Sequence, residues 1–170
     1  KDVVSTIQKL KNMNINIHMF TGDTKEKATE IAQQVGIDNI NYSMLPSDKY
    51  TYLEEIIKKK AEKSIVSFVG DGINDAPVLK LSDLGISMGS LGTDSAIEAS
   101  DVVIMNDNLE KIVTAINISK KTNKIIKENL IFALGVKLLV LVLKLIGLST
   151  MLEAVFADVG VTIISILNTL

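Results

Sequence analysis

Cysteine is absent from the 170-residue chain, which excludes disulfides, thiolate zinc sites and cysteine nucleophiles and fits a reducing cytoplasm. Arginine and tryptophan are absent as well, aromatic residues are only 4%, and proline occurs twice. All 18 basic residues are lysine, and the net charge of -2 with a pI near 5.5 gives no basic surface for nucleic acid, which is not an expected partner. No initiator methionine, signal peptide or transit pattern stands at Lys1, so the chain reads as a piece of a longer protein. No internal repeat or low-complexity segment interrupts it.

Hydrophobic residues are plentiful instead, at 47% with a mean hydropathy of +0.32, and the excess is concentrated at one end. From Leu130 onward the only charged residues are Lys137, Lys144, Glu153 and Asp158. The chain is two materials joined near Asn129.

Before that junction, short apolar runs alternate with helical periodicity. The pattern predicts strands over Ile15–Phe20, Ser64–Val69, Leu84–Met88 and Asp101–Met105. It predicts helices over Lys25–Val35, stopped at Gly36, over Ser47–Lys63, begun at Pro46-Ser47-Asp48, and around Ala76–Leu81. Such alternation implies a parallel sheet covered by helices, with ligands held outside the carboxyl ends of the strands. The polar residues after Phe20 and Val69 therefore carry the interest.

After Val69 comes Gly70-Asp71-Gly72-Ile73-Asn74-Asp75. Glycines flanking Asp71 let the backbone turn and approach a ligand, and Asp71 and Asp75 can converge as hard oxygen ligands for Mg²⁺, which needs only one or two protein carboxylates when phosphate is present. An ordinary Asp-Gly turn is the bland alternative for the first three residues. After Phe20 comes Thr21-Gly22-Asp23, where a hydroxyl and backbone N–H groups at a helix start can bind phosphoryl oxygens, or Asp23 or Thr24 can cap the helix. Lys49, at the next helix start, can offset charge on a transferring phosphoryl group, although a solvated surface lysine is the commoner case. His18, the one histidine, falls in a predicted strand and reads as a packed or edge residue, and the methionines form no stripe.

The strings TGDTKEKA, PSDK, GDGINDAPVL and DLGISMGSLGTDSAIEASDVVIM resemble the second half of the phosphorylation domain of P-type ATPases, built on the haloacid dehalogenase-like (Rossmann-like) fold. NLIFALGVK with EAVFADVGVTIISILNTL resembles the last two membrane helices of the heavy-metal exporters of the zinc, cadmium and lead branch. The resemblance implies an α/β fold: residues 1–108 as the carboxyl-terminal part of the phosphorylation domain, 109–129 as a connecting helix, and 130–148 and 151–170 as a transmembrane hairpin. It implies Thr21, with Gly22 and Asp23, at the phosphoryl oxygens, Lys49 as the charge-neutralising lysine, and Asp71 as the principal Mg²⁺ ligand. Asn74 and Asp75 would support that ion, with Gly70 and Gly72 shaping the turn. ATP would be the substrate of the full-length protein. The family's nucleophile motif, Asp-Lys-Thr-Gly-Thr, does not occur in this sequence, so the chain alone is expected to be inactive and to need the upstream half of the pump. A membrane-anchored dehalogenase-like phosphatase, which would require an Asp-x-Asp nucleophile, and a non-catalytic split-gene membrane subunit are the competing expectations.

The apolar tail supports a bilayer reading by length. Each half is about the 20 residues that cross a hydrocarbon core of roughly 30 Å. Lysines before the first half place that end, and the phosphorylation domain, in the cytoplasm of a cell membrane protein. A core hairpin of a soluble protein is the alternative, but residues 1–129 are too few to bury two such helices. At 1.5 Å per residue Lys137 and Asp158 fall at matching depth, roughly 12–15 Å from the turn. A lone charge there costs about 2.5–3.5 kcal/mol, so the two should pair or line a wet cavity. Lys144 and Glu153 lie near enough to the outer end to reach its surface. A fixed ion pair that merely orients the helices is one reading of Lys137 and Asp158. The resemblance implies the other, with Asp158 a ligand of the transported divalent metal and Lys137 its countercharge. A carboxylate suits zinc better than cuprous copper.

Overall fold

The computed structural model describes residues 3–70, 74–89, 94–106, 108–147 and 151–169. It divides into two compact units, Lys1–Val113 and Thr114–Leu170.

In the first unit the expected alternation holds: α1 (Val3–Asn12), β1 (His18–Phe20), α2 (Lys25–Val35), β2 (Asn39–Asn41), α3 (Pro46–Lys59), β3 (Ser67–Gly70), α4 (Ala76–Leu81), β4 (Leu84–Met88), α5 (Asp94–Ala99) and β5 (Val102–Ile104). α2 ends at Gly36 as expected, and α3 starts with Pro46 in its first turn. The sequence pattern did not mark α1, β2 or α5. Three of the expected strands are shorter than their apolar runs, because pairing begins only at His18 and Ser67 and is confined to Val102–Ile104 in the last.

Every strand pair is parallel, as expected, but the described residues form two sheets rather than one. β1 pairs with β2, with Met19 opposite Ile40. β3, β4 and β5 form the other sheet in that order, with Val69 opposite Ile86 and Ser87 opposite Val103. β1 and β3 are not paired to each other among the described residues. Side chains join what hydrogen bonds do not. Leu53 of α3, Phe68 of β3 and Val78 and Leu79 of α4 form a buried cluster on which Phe20, Ile57, Val66 and Leu81 pack. The Phe20 ring lies 6.1 Å from Tyr52, edge to face, and 6.3 Å from Phe68.

Register in the larger sheet is set by an aspartate just before each added strand. Asp83 accepts from the Val66 N–H at 2.7 Å, and its own N–H donates to the Val66 carbonyl at 3.0 Å. Asp101 does the same with Gly85, at 2.8 and 2.9 Å. Each aspartate thus closes a two-bond ring onto the neighbouring strand and blocks a one-residue slip. The hydrogen bond from Lys60, then the one from the Val66 N–H, holds the Asp83 carboxyl below its usual value. Gly85 is required by close approach: a Cβ there would lie 2.7 Å from the Leu79 carbonyl oxygen.

In the second unit, α6 (Glu110–Leu145), which begins in the first, runs unbroken through the expected connecting segment into the apolar tail, and α7 (Met151–Thr169) follows. α6 turns Ile125, Asn129, Ala133, Val136, Val140 and Leu143 half-covered along one face, at 4-4-3-4-3 spacing. On α7 only Val161 is buried among the described side chains. Most of the apolar surface is uncovered, with Leu130, Ile131, Leu134, Leu138 and Leu145 each more than half exposed. Among the described residues no helix is both long and apolar enough to count as a membrane span. Lys137 and Lys144 interrupt the apolar part of α6, which is where the expected hairpin departs from a plain hydrophobic span.

Candidate functional site

The two expected polar loops follow β1 and β3, the strands whose Phe20 and Phe68 rings meet. Thr21 extends the β1–β2 ladder by one bond, its N–H donating to the Asn41 carbonyl at 3.0 Å, and its own carbonyl accepts from Met44 at 3.1 Å. Its hydroxyl is held within its own turn. Oγ1 accepts from the Asp23 N–H at 3.1 Å and donates to Asp23 Oδ2 at 3.0 Å. The Asp23 carbonyl in turn accepts from Ser43 at 2.8 Å, so Thr21-Gly22-Asp23 is stitched to the loop after β2.

The expected side-chain cap of α2 is not formed: Thr24 takes the cap position in an extended conformation without a side-chain cap bond. Glu26 uses the helix start instead. Its carboxyl is held below the usual value first by a backbone N–H and then by the Thr24 hydroxyl. The positive end of α2 is therefore partly satisfied by the chain's own carboxylate.

Lys49 is placed by the start of α3, where Asp48 Oδ2 accepts from the Leu45 N–H at 2.8 Å. Its ammonium reaches Asp75 Oδ1 at 2.8 Å, with the two side chains 19% and 10% exposed. Asp75 stands at the head of α4, its carbonyl accepting from Val78 at 2.9 Å and Leu79 at 2.8 Å. Gly70, the last residue of β3, lies so close that a Cβ would sit 3.0 Å from Asp75 Oδ2 and 3.1 Å from the Phe68 ring. A side chain at this position would require the Asp75 carboxylate or the Phe68 ring to give by a few tenths of an ångström.

The structure thus gathers Lys49, Gly70 and Asp75 at one place. Asn74 is exposed beside Asp75. Asp71, Gly72 and Ile73 lie outside the described residues, and with them the expected convergence of Asp71 on Asp75. What sequence reasoning missed is that Lys49 meets Asp75 directly. Two opposite charges withdrawn from water neutralise each other, and nothing in a separation of 26 positions signals that contact. The Asp75 carboxylate and the Asn74 amide are hard oxygen donors of the kind Mg²⁺ takes. Among the described residues no three His, Cys, Asp or Glu side chains form a closed metal cluster.

In the second unit Lys137 Nζ lies 3.0 Å from Asp158 Oδ1, so the two residues pair as expected. Both side chains remain open, at 62% and 61% exposed. They line a groove of about 470 Å³ with Asn129, Ala133, Val161 and Thr162.

The family model of the haloacid dehalogenase-like hydrolases matches residues 1–83, just under half of the chain. Over 99% of its length the chain is 46% identical, across 169 residues, to the zinc-transporting ATPase of Synechocystis, and covers 23% of that protein. It is 43% identical across 169 residues to the cadmium, zinc and cobalt-transporting ATPase of Bacillus subtilis, covering 99% of this chain and 24% of that one. The crystal structure of a zinc-transporting PIB-type ATPase in its E2.Pi state matches with a TM-score of 0.88 at 32% identity, covering 98% of this chain and 27% of the other. The chain is thus a relative of the zinc- and cadmium-transporting P-type ATPases and spans about a quarter of their length.

Proposed function

We propose that this chain is the carboxyl-terminal part of an ATP-driven P-type pump that exports divalent heavy metal ions, Zn²⁺, Cd²⁺ or Pb²⁺, from the cytoplasm. One observation carries the reading: the likeness to zinc- and cadmium-transporting ATPases covers both units, the α/β unit and the apolar helix pair, and not a generic hydrolase fold alone.

In this reading residues 1–108 complete a cytoplasmic phosphorylation domain, 109–129 connect it, and 130–148 with 151–170 lie in the cell membrane against other helices of the pump. The bare apolar surface of α6 and α7 supports that placement, since lipid and neighbouring helices would cover what this chain leaves open. The nucleotide-binding and actuator domains and the remaining membrane helices come from the upstream part, together with the aspartate nucleophile. An oxygen of that aspartate attacks the terminal phosphorus of ATP, the bond to the bridging oxygen breaks, and ADP leaves with the electron pair.

This chain's residues then hold and screen the phosphoryl group. The Thr21 hydroxyl, with Gly22 and Asp23 shaping its loop, donates to a phosphoryl oxygen by giving up its bond to Asp23. Lys49 both anchors Asp75 and supplies positive charge beside the site. Asp71, with Asp75 and Asn74, would hold Mg²⁺ on the turn that Gly70 and Gly72 permit. When bound, that ion neutralises charge on the transferring group. Asp158 is a ligand of the transported ion, and Lys137 is the countercharge that takes its carboxylate when the ion has gone.

The test is zinc-stimulated ATP turnover by the chain joined to its upstream sequence. Stimulation is expected to vanish in Asp158→Ala and to persist in Lys144→Ala. The 170-residue chain alone is expected to turn over no ATP. Unchanged zinc stimulation in the Asp158 variant would remove that residue from the transport path, and turnover by the chain alone would favour an independent phosphatase.

A further inference from the structure

We propose that Asn129 is a positioning residue: its amide sets the register of α6 against α7 and thereby holds Lys137 opposite Asp158. The side chain makes three bonds to the last turns of α7. Nδ2 donates to the Ser165 carbonyl and to Thr169 Oγ1, both at 3.1 Å, and Oδ1 accepts from Asn168 Nδ2 at 2.9 Å. Both hydrogen-bonding ends of the amide are therefore used, which few other side chains could do at one position.

The other five half-covered residues on that face of α6 are Ile125, Ala133, Val136, Val140 and Leu143. Apolar contacts have no direction, so a face made only of these could slide against α7 at little cost. One polar residue in such a seam is the best-attested device for choosing a register. The Lys137–Asp158 contact cannot serve that purpose, because both side chains are about 60% exposed and the lysine stem is long and flexible.

The two contacts belong to one antiparallel alignment. From Asn129 to Lys137 the advance along α6 is about 12 Å, and from Asp158 to the partners of Asn129 the advance along α7 is about 10–16 Å. A slide of one turn, about 5.4 Å, would break all three amide bonds and carry the lysine away from the carboxylate it meets at 3.0 Å. Ala133 and Thr162 lie between the two contacts, on the wall of the same groove.

Because the chain contains no cysteine, introduced pairs report register without background. In phosphatidylcholine–phosphatidylglycerol vesicles, Ala133→Cys should cross-link to Thr162→Cys in preference to Ile166→Cys, which lies one turn further along. Asn129→Leu should lower that preference about tenfold, the effect of losing one to two interhelical hydrogen bonds of membrane strength. Asn129→Gln should restore most of it, and Thr169→Val, which removes one bond only, should lower it less. An unchanged preference in both Asn129→Leu and Thr169→Val overturns the proposal.

The functional consequence rests on the transport reading of Asp158. In the chain joined to its upstream sequence, Asn129→Leu should raise the zinc concentration for half-maximal ATP turnover about tenfold, as loss of a ligand-orienting contact does. Altered cross-linking with an unaltered zinc response would uphold the register role and count against the transport reading, so the two failures are told apart.

Discussion

Each unit holds one lysine against one aspartate, and the two pairs have opposite surroundings. Lys49 and Asp75 meet at 2.8 Å with little of either side chain exposed, enclosed by α3, α4 and the end of β3. Lys137 and Asp158 meet at 3.0 Å with more than half of each exposed, in a unit that from Thr114 onward buries only Val161 among its described side chains. The first pair has its environment supplied by its own unit. The second is set in an environment that residues 114–170 do not provide, and in water it would contribute little. The first unit is therefore a domain with a core of its own, and the second a helix pair whose energetics depend on what covers it.

The largest expected effect contrasts the two pairs. Lys49→Met strands the Asp75 carboxylate in a shielded site and should destabilise the first unit by about 3 kcal/mol, read by urea denaturation. Asp75→Asn added to it should recover much of the loss. Lys137→Met should cost the second unit about 1 kcal/mol or less in aqueous detergent. Equal losses would break the comparison.

Packing gives the next contrast. Leu79→Ala empties part of the buried cluster of the first unit and should cost about 3 kcal/mol. Gly85→Ala, pressing on the Leu79 carbonyl, should cost about 2 kcal/mol. Gly135→Ala meets nothing within 4 Å in α6 and should leave helix content equal or slightly raised, by circular dichroism. A marked loss there would show that a partner already packs on that face.

The smallest effect is in acid. The Asp83 carboxyl is held below its usual value, so its contribution is complete above the ordinary carboxylate range and is lost as pH falls through the lower folded value. Asp83→Asn should flatten the acid limb of the first unit's stability curve, while the helix content of the second unit changes little over the same range.

Much of the first unit was legible in the sequence. β4 and α4 fall where apolar runs and the Pro-containing helix start place them, because a strand buried on both faces and a helix with a distinct start leave strong local patterns. β2 was not legible: Asn39-Ile40-Asn41 has one apolar residue, and it is a strand only because β1 lies alongside. The site was half legible. Thr21 and Gly70 stand at the strand ends where the sequence predicts them, but the Lys49–Asp75 bond joins residues far apart in the chain, and local patterns carry no information about it.

By itself the sequence determined the two-part composition, the alternation of strands and helices in the first part, and the side chains available for phosphate, magnesium and metal chemistry, because those follow from residue type and short-range periodicity. Only the tertiary structure decided that β1 and β3 stay in separate sheets, that Lys49 takes Asp75, and that Asn129 clasps the end of α7 in line with Lys137 and Asp158. Those are contacts between segments remote in the chain, set by which surfaces meet and which polar groups must be satisfied once water is excluded.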